Sequence, residues 1–259
     1  MGNSGNKTCV GDLRAIAGFL LDFADSLMAA GTQTSRIVRN LERLADNFGC
    51  RADIIILPKT VIMTVTAGGH TLTRVKKFSP PLPDFTVLSE LRILSWEAYR
   101  NKWSLAQCRR KFAEIKRGGR IDWRIVAAIV SVGNAAFCQL FGGFYSVPLI
   151  FFTTLAGFLT RRFLEHRGVG ILMRTFAAAF VSSMLAGTGA WLFDFKTAIA
   201  ISTSVLYLVP GVPLLNALID IFDGHVLAGF SRLANASAII FAMTVGLLVS
   251  LWFFGGTVL

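Results

Sequence analysis

The first third of the chain changes from a helical to an extended pattern of apolar residues. Apolar positions recur at helical spacing over residues 11–29 and again from Ile37 to Phe48, and the runs are followed by Gly31 and Gly49. Glycine directly after such a run is a common helix C-terminal cap. The pattern therefore predicts two amphipathic helices joined by a short turn.

Three segments rich in β-branched residues follow, with the sequences ADIIILP, KTVIMTVTA and HTLTRVKKF. They predict three strands, the last two joined as a hairpin through a Gly-Gly pair. Beyond the prolines of SPPLPD, Asp84 and the S-x-x-Q pattern at 104–107 each mark the start of a helix. We therefore expect residues 1–120 to form an α+β domain of order ααβββαα.

Long apolar runs replace this pattern from Ile125 onward. Five runs can be distinguished, at about 125–142, 145–161, 171–193, 197–215 and 234–256. A membrane-spanning helix needs about 20 apolar residues, and about 17 are tolerated. The sequence thus predicts an α-helical polytopic membrane protein, with about five transmembrane helices in residues 121–259 after the N-terminal α+β domain.

Polar side chains interrupt these apolar runs. The examples are Ser131, Asn134, Gln139, Thr153, Thr154, Ser182, Ser183, Ser202, Thr203 and Ser204. Polar groups in lipid cost free energy unless they meet partners or water. A packed helical bundle with a polar interior is therefore expected, although a hydroxyl can also bond back to its own helix.

Composition agrees with a membrane protein that carries a charged soluble domain. The 259 residues are 54% hydrophobic, with a mean hydropathy of +0.60. The net charge is +11, and residues 1–124 hold 20 of the 26 Lys and Arg and 11 of the 15 acids. Arginines lie between the second and third runs, whereas the loops GGFYS and DFK carry almost no positive charge, so the positive-inside rule places the N-terminal domain in the cytoplasm.

Neither the basic residues nor the cysteines indicate a nucleic-acid, metal or cofactor site. Arg36, Arg39 and Arg43 form a basic stripe on the second helix, for which a solvated face is the ordinary interpretation and anionic lipid or substrate the alternative. The four cysteines lack the C-x-x-C spacing of metal and redox sites. We therefore expect no metal, no cofactor and no nucleic-acid partner.

The segment LVPGVPLLNALIDIFDGHVLAGFSR, residues 208–232, places charge where the surroundings are apolar. Pro210 and Gly211 interrupt the helix, and Asn216, Asp220 and Asp223 follow at i, i+4 and i+7, on one face of a resumed helix. A broken helix followed by carboxylates is typical of solute and proton sites in transporters. We expect both aspartates to face a hydrated cavity; the alternative is a surface helix with one aspartate paired to Arg232.

Each polar group of this segment has a candidate role. Asp220 is the first candidate for proton coupling or ion pairing, and Asp223 is the second. Arg232 would counter charge or contact an anionic solute, with Arg174 as a possible second cation. The neutral hydrogen-bonding groups are those of Asn216 and of the backbone at Pro210 and Gly211.

Two segments resemble the threonine/serine exporter family. They are PGVPLLNALIDIFDGHVLAGFSRL, residues 210–233, and LLDFADSLMAAGTQTSRIVRNLERLADNFGC, residues 20–50, with Gly31, Thr34, Arg36 and Gly49 in the expected places. The resemblance implies a cytosolic domain before membrane helices and proton-driven export of small polar metabolites. The positions carried over as family candidates are Pro210, Gly211, Asn216, Asp220, Gly224, Gly229 and Arg232.

The chain is most similar to split members of that family, such as the larger subunit of the two-component succinate exporter of bacterial inner membranes. This resemblance implies a multi-pass protein of the inner membrane with a small polytopic membrane partner that carries the missing second half, and an assembly that can be of higher order. The implied cargo is a dicarboxylate such as succinate, or threonine and serine.

Two other functions remain as alternatives. In one, the chain is a membrane-anchored sensor or scaffold, whose cytosolic domain binds a ligand or partner. In the other, it is a membrane enzyme acting on lipid phosphates. The second is the weakest, because no His/Asp or Lys/Arg/His motif has a suitable spacing. We therefore predict a protein that is not an enzyme.

Overall fold

The computed structural model describes residues 10–78, 84–118, 121–141, 146–193 and 197–254. The chain divides into two compact units, and we name them unit one and unit two. Unit one is Met1–Arg120 with Val212–Leu233, and unit two is Ile121–Gly211 with Ala234–Leu259. Residues 212–233, which follow an apolar run in the sequence, therefore belong with the N-terminal residues.

Unit one has the order of elements that the sequence predicts. Its elements are α1 (Val10–Ala29), α2 (Thr34–Asn47), β1 (Arg51–Leu57), β2 (Thr60–Ala67), β3 (His70–Lys77), α3 (Phe85–Arg100) and α4 (Leu105–Arg117). The order ααβββαα is confirmed for these residues. Residues 212–233, from two later helices described below, complete the unit.

The three strands form an antiparallel sheet in the order β1-β2-β3. Its register pairs Met63 of β2 with Ile54 on one side and with Arg74 on the other. In β2 every second residue is buried, so that Val61, Met63 and Val65 face the core. The predicted hairpin closes at Gly68 and Gly69, both of which have positive φ.

Helical spacing produces the core of unit one. Leu20, Phe23 and Leu27 of α1 are 0% exposed, because they lie on the face that the periodicity predicts. Leu41 and Leu44 of α2 are equally buried and pack in the same cluster. Large side chains from α1, α2, α3, α4 and the sheet therefore share one continuous hydrophobic core.

The helix boundaries of unit one follow the capping residues of the sequence. The Asp84 carboxylate accepts hydrogen bonds from the backbone N–H groups of Thr86 and Val87. Ser104 and Gln107 form a reciprocal capping box at the start of α4. At the end of α1, Gly31 has φ +86°, and its N–H donates to the Met28 carbonyl, so the predicted glycine cap is present.

Unit two is helical in its described residues. It contains α5 (Trp123–Cys138), α6 (Val147–His166), α7 (Ile171–Leu192) and α8 (Thr197–Ser204). The chain continues through α9 (Gly211–Phe222) and α10 (Val226–Phe253). Most of α9 and the first residues of α10 belong to unit one, and the rest of α10 belongs to unit two.

The number of helices able to cross a membrane is smaller than the predicted five. By length and composition, the described residues contain three such helices, α6, α7 and α10, or four if the bent pair Ala198–Leu208 and Gly211–Phe222 counts as one. Five spans are not confirmed. Helix α5 has 16 residues, which gives a length of about 24 Å, short of a hydrocarbon core of about 30 Å.

Two boundaries of the apolar runs also differ from the prediction. The run at 197–215 is not one helix, because α8 ends at Ser204 and α9 begins only at Gly211, after Pro210. The last run starts at Val226, earlier than the predicted 234, since Arg232 finds partners inside the protein and does not end the helix.

The polar interior predicted for the bundle is present within unit two. Asn134 Nδ2 donates to Thr154 Oγ1 at 2.7 Å and to the Thr203 carbonyl at 3.0 Å. Ser182 Oγ donates to the Thr153 carbonyl at 3.1 Å. Of the ten polar residues named from the sequence, only Gln139 and Ser202 are exposed. The hydroxyl of Ser131 is buried and meets no hydrogen-bond partner in the described part of the chain.

Candidate functional site

The candidate site is built on the turn between α9 and α10. Gly224 follows α9 with φ +86°, its N–H donates to the Ile221 carbonyl, and the His225 N–H donates to the Asp220 carbonyl at 2.8 Å. These two bonds are those of a Schellman cap, which reverses the chain tightly. The positive φ of Gly224 thus gives a backbone reason for glycine at this turn.

Helix α10 then packs closely against α9 at Gly229. A Cβ atom there would lie 2.7 Å from the Ala217 carbonyl oxygen and 2.7 Å from Ile221 Cγ1. Only glycine leaves room for this approach. As a result, Asp220 of α9 and Arg232 of α10 meet as an ion pair, with 3.3 Å between Arg232 Nε and the carboxylate.

Asp220 is the central residue of the site. Its side chain is 0% exposed. One carboxylate oxygen accepts the backbone N–H of Thr34 at 2.8 Å, and the other accepts the Thr34 hydroxyl at 2.9 Å. Both oxygens therefore receive donors from the first residue of α2, which lies 186 positions earlier in the chain.

The Asp220 carboxylate acts as the missing N-cap of α2. Gln33, the residue at the N-cap position, makes no side-chain capping bond. The first N–H groups of a helix have no intrahelical partner, and the helix dipole places partial positive charge there. The Asp220 carboxylate accepts the Thr34 N–H and also places negative charge at the positive end of the helix dipole.

The side chains of Asn216 and Arg232 donate hydrogen bonds to other residues of the turn between α1 and α2. Asn216 Nδ2 donates to the Gly31 carbonyl at 2.7 Å. Arg232 Nη1 donates to the Thr32 carbonyl at 2.9 Å, and Nη2 lies 3.0 Å from Met28 Sδ. The turn residues thus supply two acceptors and two donors, and the α9–α10 segment supplies the complements.

The electrostatics of this arrangement are those of a buried ion pair. The side chain of Arg232 is 19% exposed and that of Asp220 is 0% exposed. A buried pair adds little net stability compared with apolar residues, but loss of one partner leaves the other charge uncompensated. The site is therefore sensitive to the charge state of either residue.

Asp223 does not share the buried surroundings of Asn216 and Asp220. Helix α9 ends at Phe222, one residue before Asp223, and the side chain of Asp223 is exposed while the other two are buried. The Asp223 N–H still donates to the Ile219 carbonyl at 2.8 Å, so helical hydrogen bonding reaches this residue. The tight turn at Gly224 follows directly after it.

The remaining candidates lie at other places. Pro210 and Gly211 occupy the break before α9, as predicted, and the Gly211 N–H donates to the Val209 carbonyl at 2.9 Å. Arg174 belongs to unit two, where it pairs with Glu165 at 2.7 Å. The predicted pairing of an aspartate with Arg232 is present and involves Asp220.

Asp220 meets protein donors rather than the hydrated cavity that the sequence suggested. Each carboxylate oxygen is bound by Thr34, and one also pairs with Arg232. Within the described ranges, no group of three or more His, Cys, Asp or Glu residues could hold a metal ion. The arrangement can therefore hold a segment in place and release it on a change of charge.

The partners on the α1–α2 turn were missed by sequence reasoning. Met28, Gly31, Thr32 and Thr34 all lie in the segment 20–50, but no sequence pattern linked them to residues almost 200 positions later. The available signal was indirect: Gln33, directly before α2, is not one of the side chains that commonly cap a helix.

Comparison with known proteins identifies the family of the chain. The family model described as "Putative threonine/serine exporter" matches residues 18–254, which include both the α1–α2 turn and the α9–α10 segment. The chain belongs to this family. It is therefore a member of a transporter family, and its apolar helices are those of a membrane protein.

Two curated relatives cover nearly the whole chain. A protein of Klebsiella aerogenes, "Probable succinate transporter subunit YjjP", is 27% identical over 246 residues, 93% of this chain and 95% of that protein. The protein of the same name from Escherichia coli strain K12 is 27% identical over 248 residues, 93% of this chain and 96% of its own length. No solved structure matches the chain.

Asp220 and Asp223 make a matched pair for a stability test. Asp220→Ala removes the cap of α2 and leaves Arg232 buried without a counterion, a change that costs about 3–5 kcal/mol. We expect the midpoint of thermal unfolding in detergent to fall by on the order of 10 °C. Asp223→Ala, at an exposed position, should change stability by no more than about 0.5 kcal/mol. Equal midpoints for the two variants would contradict the role of Asp220.

A second pair of variants tests the contact between α9 and α10. Gly229→Ala places a methyl group against the Ala217 carbonyl and Ile221, so we expect a lower unfolding midpoint. Gly211→Ala is the control, because nothing lies within 4 Å of a Cβ atom there. An unchanged midpoint for Gly229→Ala would show that the two helices are not closely packed.

Proposed function

We propose that the chain is the larger subunit of a two-component exporter that moves a small polar metabolite out across the bacterial inner membrane. Its cargo is a dicarboxylate such as succinate, or threonine and serine, and the proton gradient drives the export. Its N-terminal domain is cytoplasmic. The single observation that carries the proposal is the buried Asp220 network, built from both segments that define the family resemblance.

The interior of unit two supports a transport function. Asn134, Thr154 and Thr203 form a hydrogen-bonded group among apolar helices, and Ser131 is one turn before Asn134 on α5. The buried hydroxyl of Ser131 remains available for a hydrogen bond. A helix used only as an anchor has no need of such groups, since polar atoms in lipid are costly.

A partner subunit is supported by the names of the relatives and by the exposed apolar surface. Both relatives are described as subunits of a succinate transporter. In unit one, the side of α9 and α10 opposite Asp220 exposes Leu215, Phe222, Leu227 and Phe230, with Phe222 85% exposed. Lipid or a small polytopic partner that carries the second half of the exporter would cover this surface, within a complex that can contain several copies.

Asp220 would couple transport to protons through its charge. As a carboxylate, it binds two donors of Thr34 and pairs with Arg232. Protonation removes the negative charge, weakens the pairing and leaves Arg232 partly buried without a counterion. Arg232 is then free to contact an anionic solute, while Asn216 and the backbone at Pro210 and Gly211 contribute neutral hydrogen bonds.

Two of the candidates have weaker support. Asp223 is exposed and does not join the network of Asp220. Arg174 is held by Glu165 in unit two, and it would act on an anionic solute only after leaving that pair. We therefore rank Asp220 and Arg232 first, Asn216 next, and Asp223 and Arg174 last.

A membrane-anchored sensor or scaffold is the second candidate function. The observation that favours it is the same network, because a ligand that moves the α1–α2 turn of unit one would act directly on Asp220 and Arg232. A purified complex that binds a metabolite but supports no flux would favour this function over export.

Proteoliposome efflux tests the exporter proposal. The tagged chain is purified from its native membrane with the proteins that accompany it, reconstituted, and loaded with labelled succinate or threonine under an imposed pH gradient. We expect a small polytopic protein at stoichiometric yield and efflux that depends on the gradient. Asp220→Asn should lose this dependence, whereas Asp223→Asn should retain it.

Two results would contradict the proposal. Unchanged, pH-dependent efflux by Asp220→Asn would remove Asp220 from the mechanism, and efflux by the isolated chain alone would remove the partner. Thr34→Val serves as a second variant if Asp220→Asn does not fold, because it removes one donor to the carboxylate while the ion pair with Arg232 stays. It should shift the pH dependence without abolishing efflux.

A further inference from the structure

The outer face of α3 in unit one combines exposed aromatic and apolar side chains with arginines. Phe85 is 60% exposed, Ile93 51% and Trp96 47%. Arg92 and Arg100 lie on the same face and are also exposed, at helical spacing from Trp96. Large exposed apolar side chains that share a face with cations are typical of surfaces that bind a membrane or a partner.

Arg43 of α2 extends this face and is fixed in place. Its guanidinium stacks on Trp96 at 3.7 Å from the ring centroid. Its Nη1 donates to Asn40 Oδ1 at 3.2 Å and to Ser95 Oγ at 3.0 Å. Ser95 in turn donates to Asn40 at 2.6 Å. The aromatic ring and the guanidinium are therefore held in one orientation.

The cations of this face repel one another. Partial burial lowers the pKa of Arg43, and the charges of Arg92 and Arg39 lower it further. Two acids lie on the same helix, Glu90 and Glu97, but neither forms an ion pair that the structure records in its described residues. A bound anion would relieve this repulsion.

A cleft of about 570 Å³ lies along the same face of α3. Its lining includes Ser89, Arg92, Ile93, Trp96, Glu97 and Arg100. The guanidinium groups and the serine hydroxyl can donate to phosphate oxygens, and arginine is well suited to this because of its forked donors. The cleft is thus large enough for a headgroup and supplies the donors that a phosphate needs.

We propose that this face of α3, with Arg92, Arg100 and Arg43 around Trp96, binds the phosphate headgroups of anionic lipids at the membrane surface. The arginines contact the phosphates, and Trp96 and Ile93 lie at the level of the headgroups. The surface holds the N-terminal domain against the bilayer from which its own spans emerge. This inference does not depend on the transported substrate.

An anionic lipid accounts for both the arginines and the exposed apolar side chains of this face. A small free anion would need the arginines but not the exposed Phe85 and Ile93, which lie at the interface when a bilayer is the ligand. Unit one also contains the first residues of α10, which is long and apolar enough to span a membrane. The chain therefore runs directly from unit one into a candidate membrane span.

The test uses the full chain in nanodiscs and the fluorescence of Trp96. Lipids with brominated acyl chains quench tryptophans that contact the bilayer, and the contribution of Trp96 is the difference between the wild type and Trp96→Phe. Nanodiscs contain either phosphatidylcholine alone or phosphatidylcholine with phosphatidylglycerol. We expect Trp96 to be quenched with the anionic lipid and to be spared without it.

Two double charge-reversal variants test which cations are responsible for the quenching of Trp96. In Arg92→Glu/Arg100→Glu, quenching of Trp96 should fall to the level seen in phosphatidylcholine alone. The control, Arg74→Glu/Lys77→Glu, makes the same charge change at exposed positions of β3 and should leave quenching intact. Since each arginine near an anionic surface contributes about a fivefold gain in affinity, reversal of two should be readily detected.

Three outcomes would overturn the proposal. Absence of Trp96 quenching in every lipid would exclude contact of this face with the bilayer. Equal quenching in both lipids would show apolar contact without recognition of the anionic headgroup. A shift of Trp96 emission on addition of inorganic phosphate, without quenching by lipid, would assign the cleft to a free anion.

Discussion

The carboxylate of Asp220 is the interaction on which this account depends. It closes the open N-terminus of α2 from a position 186 residues later, and it also neutralises Arg232. A helix end, a hydroxyl and a guanidinium thus meet at a single charged group that has no access to solvent. Because this carboxylate is buried, the loss of any one of its partners costs free energy.

This interaction makes α9 and the start of α10 part of the N-terminal unit. The tight cap at Gly224 and the close approach at Gly229 hold the two helices together, so that Asn216, Asp220 and Arg232 face the same turn. The same α10 continues into unit two as a candidate span. A change at the Asp220 carboxylate therefore acts on a helix that the membrane portion also uses.

Local patterns allowed the N-terminal fold to be predicted, whereas the site depended on long-range contacts. Asp84, Ser104 and Gly31 act within a few residues of themselves, and each could be assigned from the sequence. The partners of Asp220 could not, because no local pattern connects Thr34 to a carboxylate in another segment. The helical spacing also gave no sign that Asp223, at the end of α9, is exposed while Asn216 and Asp220 are buried.

In the membrane portion, hydropathy was likewise not enough to predict where each helix begins and ends. Apolar runs located the helices but not their lengths, since α5 is only 16 residues long and the run at 197–215 is broken before α9. The last run was predicted to start at 234, although the bonds of Arg232 to Asp220 and Thr32 allow α10 to begin at Val226, eight residues earlier. A charged residue indicates the end of an apolar helix only where its side chain is exposed to water, and Arg232 is instead bonded within the protein.

The most direct test of this account is a double-mutant cycle between Thr34→Val and Asp220→Asn. The free energy of unfolding of the purified chain is measured by denaturant titration for the wild type, both single variants and the double variant. We predict a coupling energy of about 1 kcal/mol or more, because the two side chains share a buried hydrogen bond. Strictly additive effects would show that Asp220 does not hold the α1–α2 turn, and the central claim would fail.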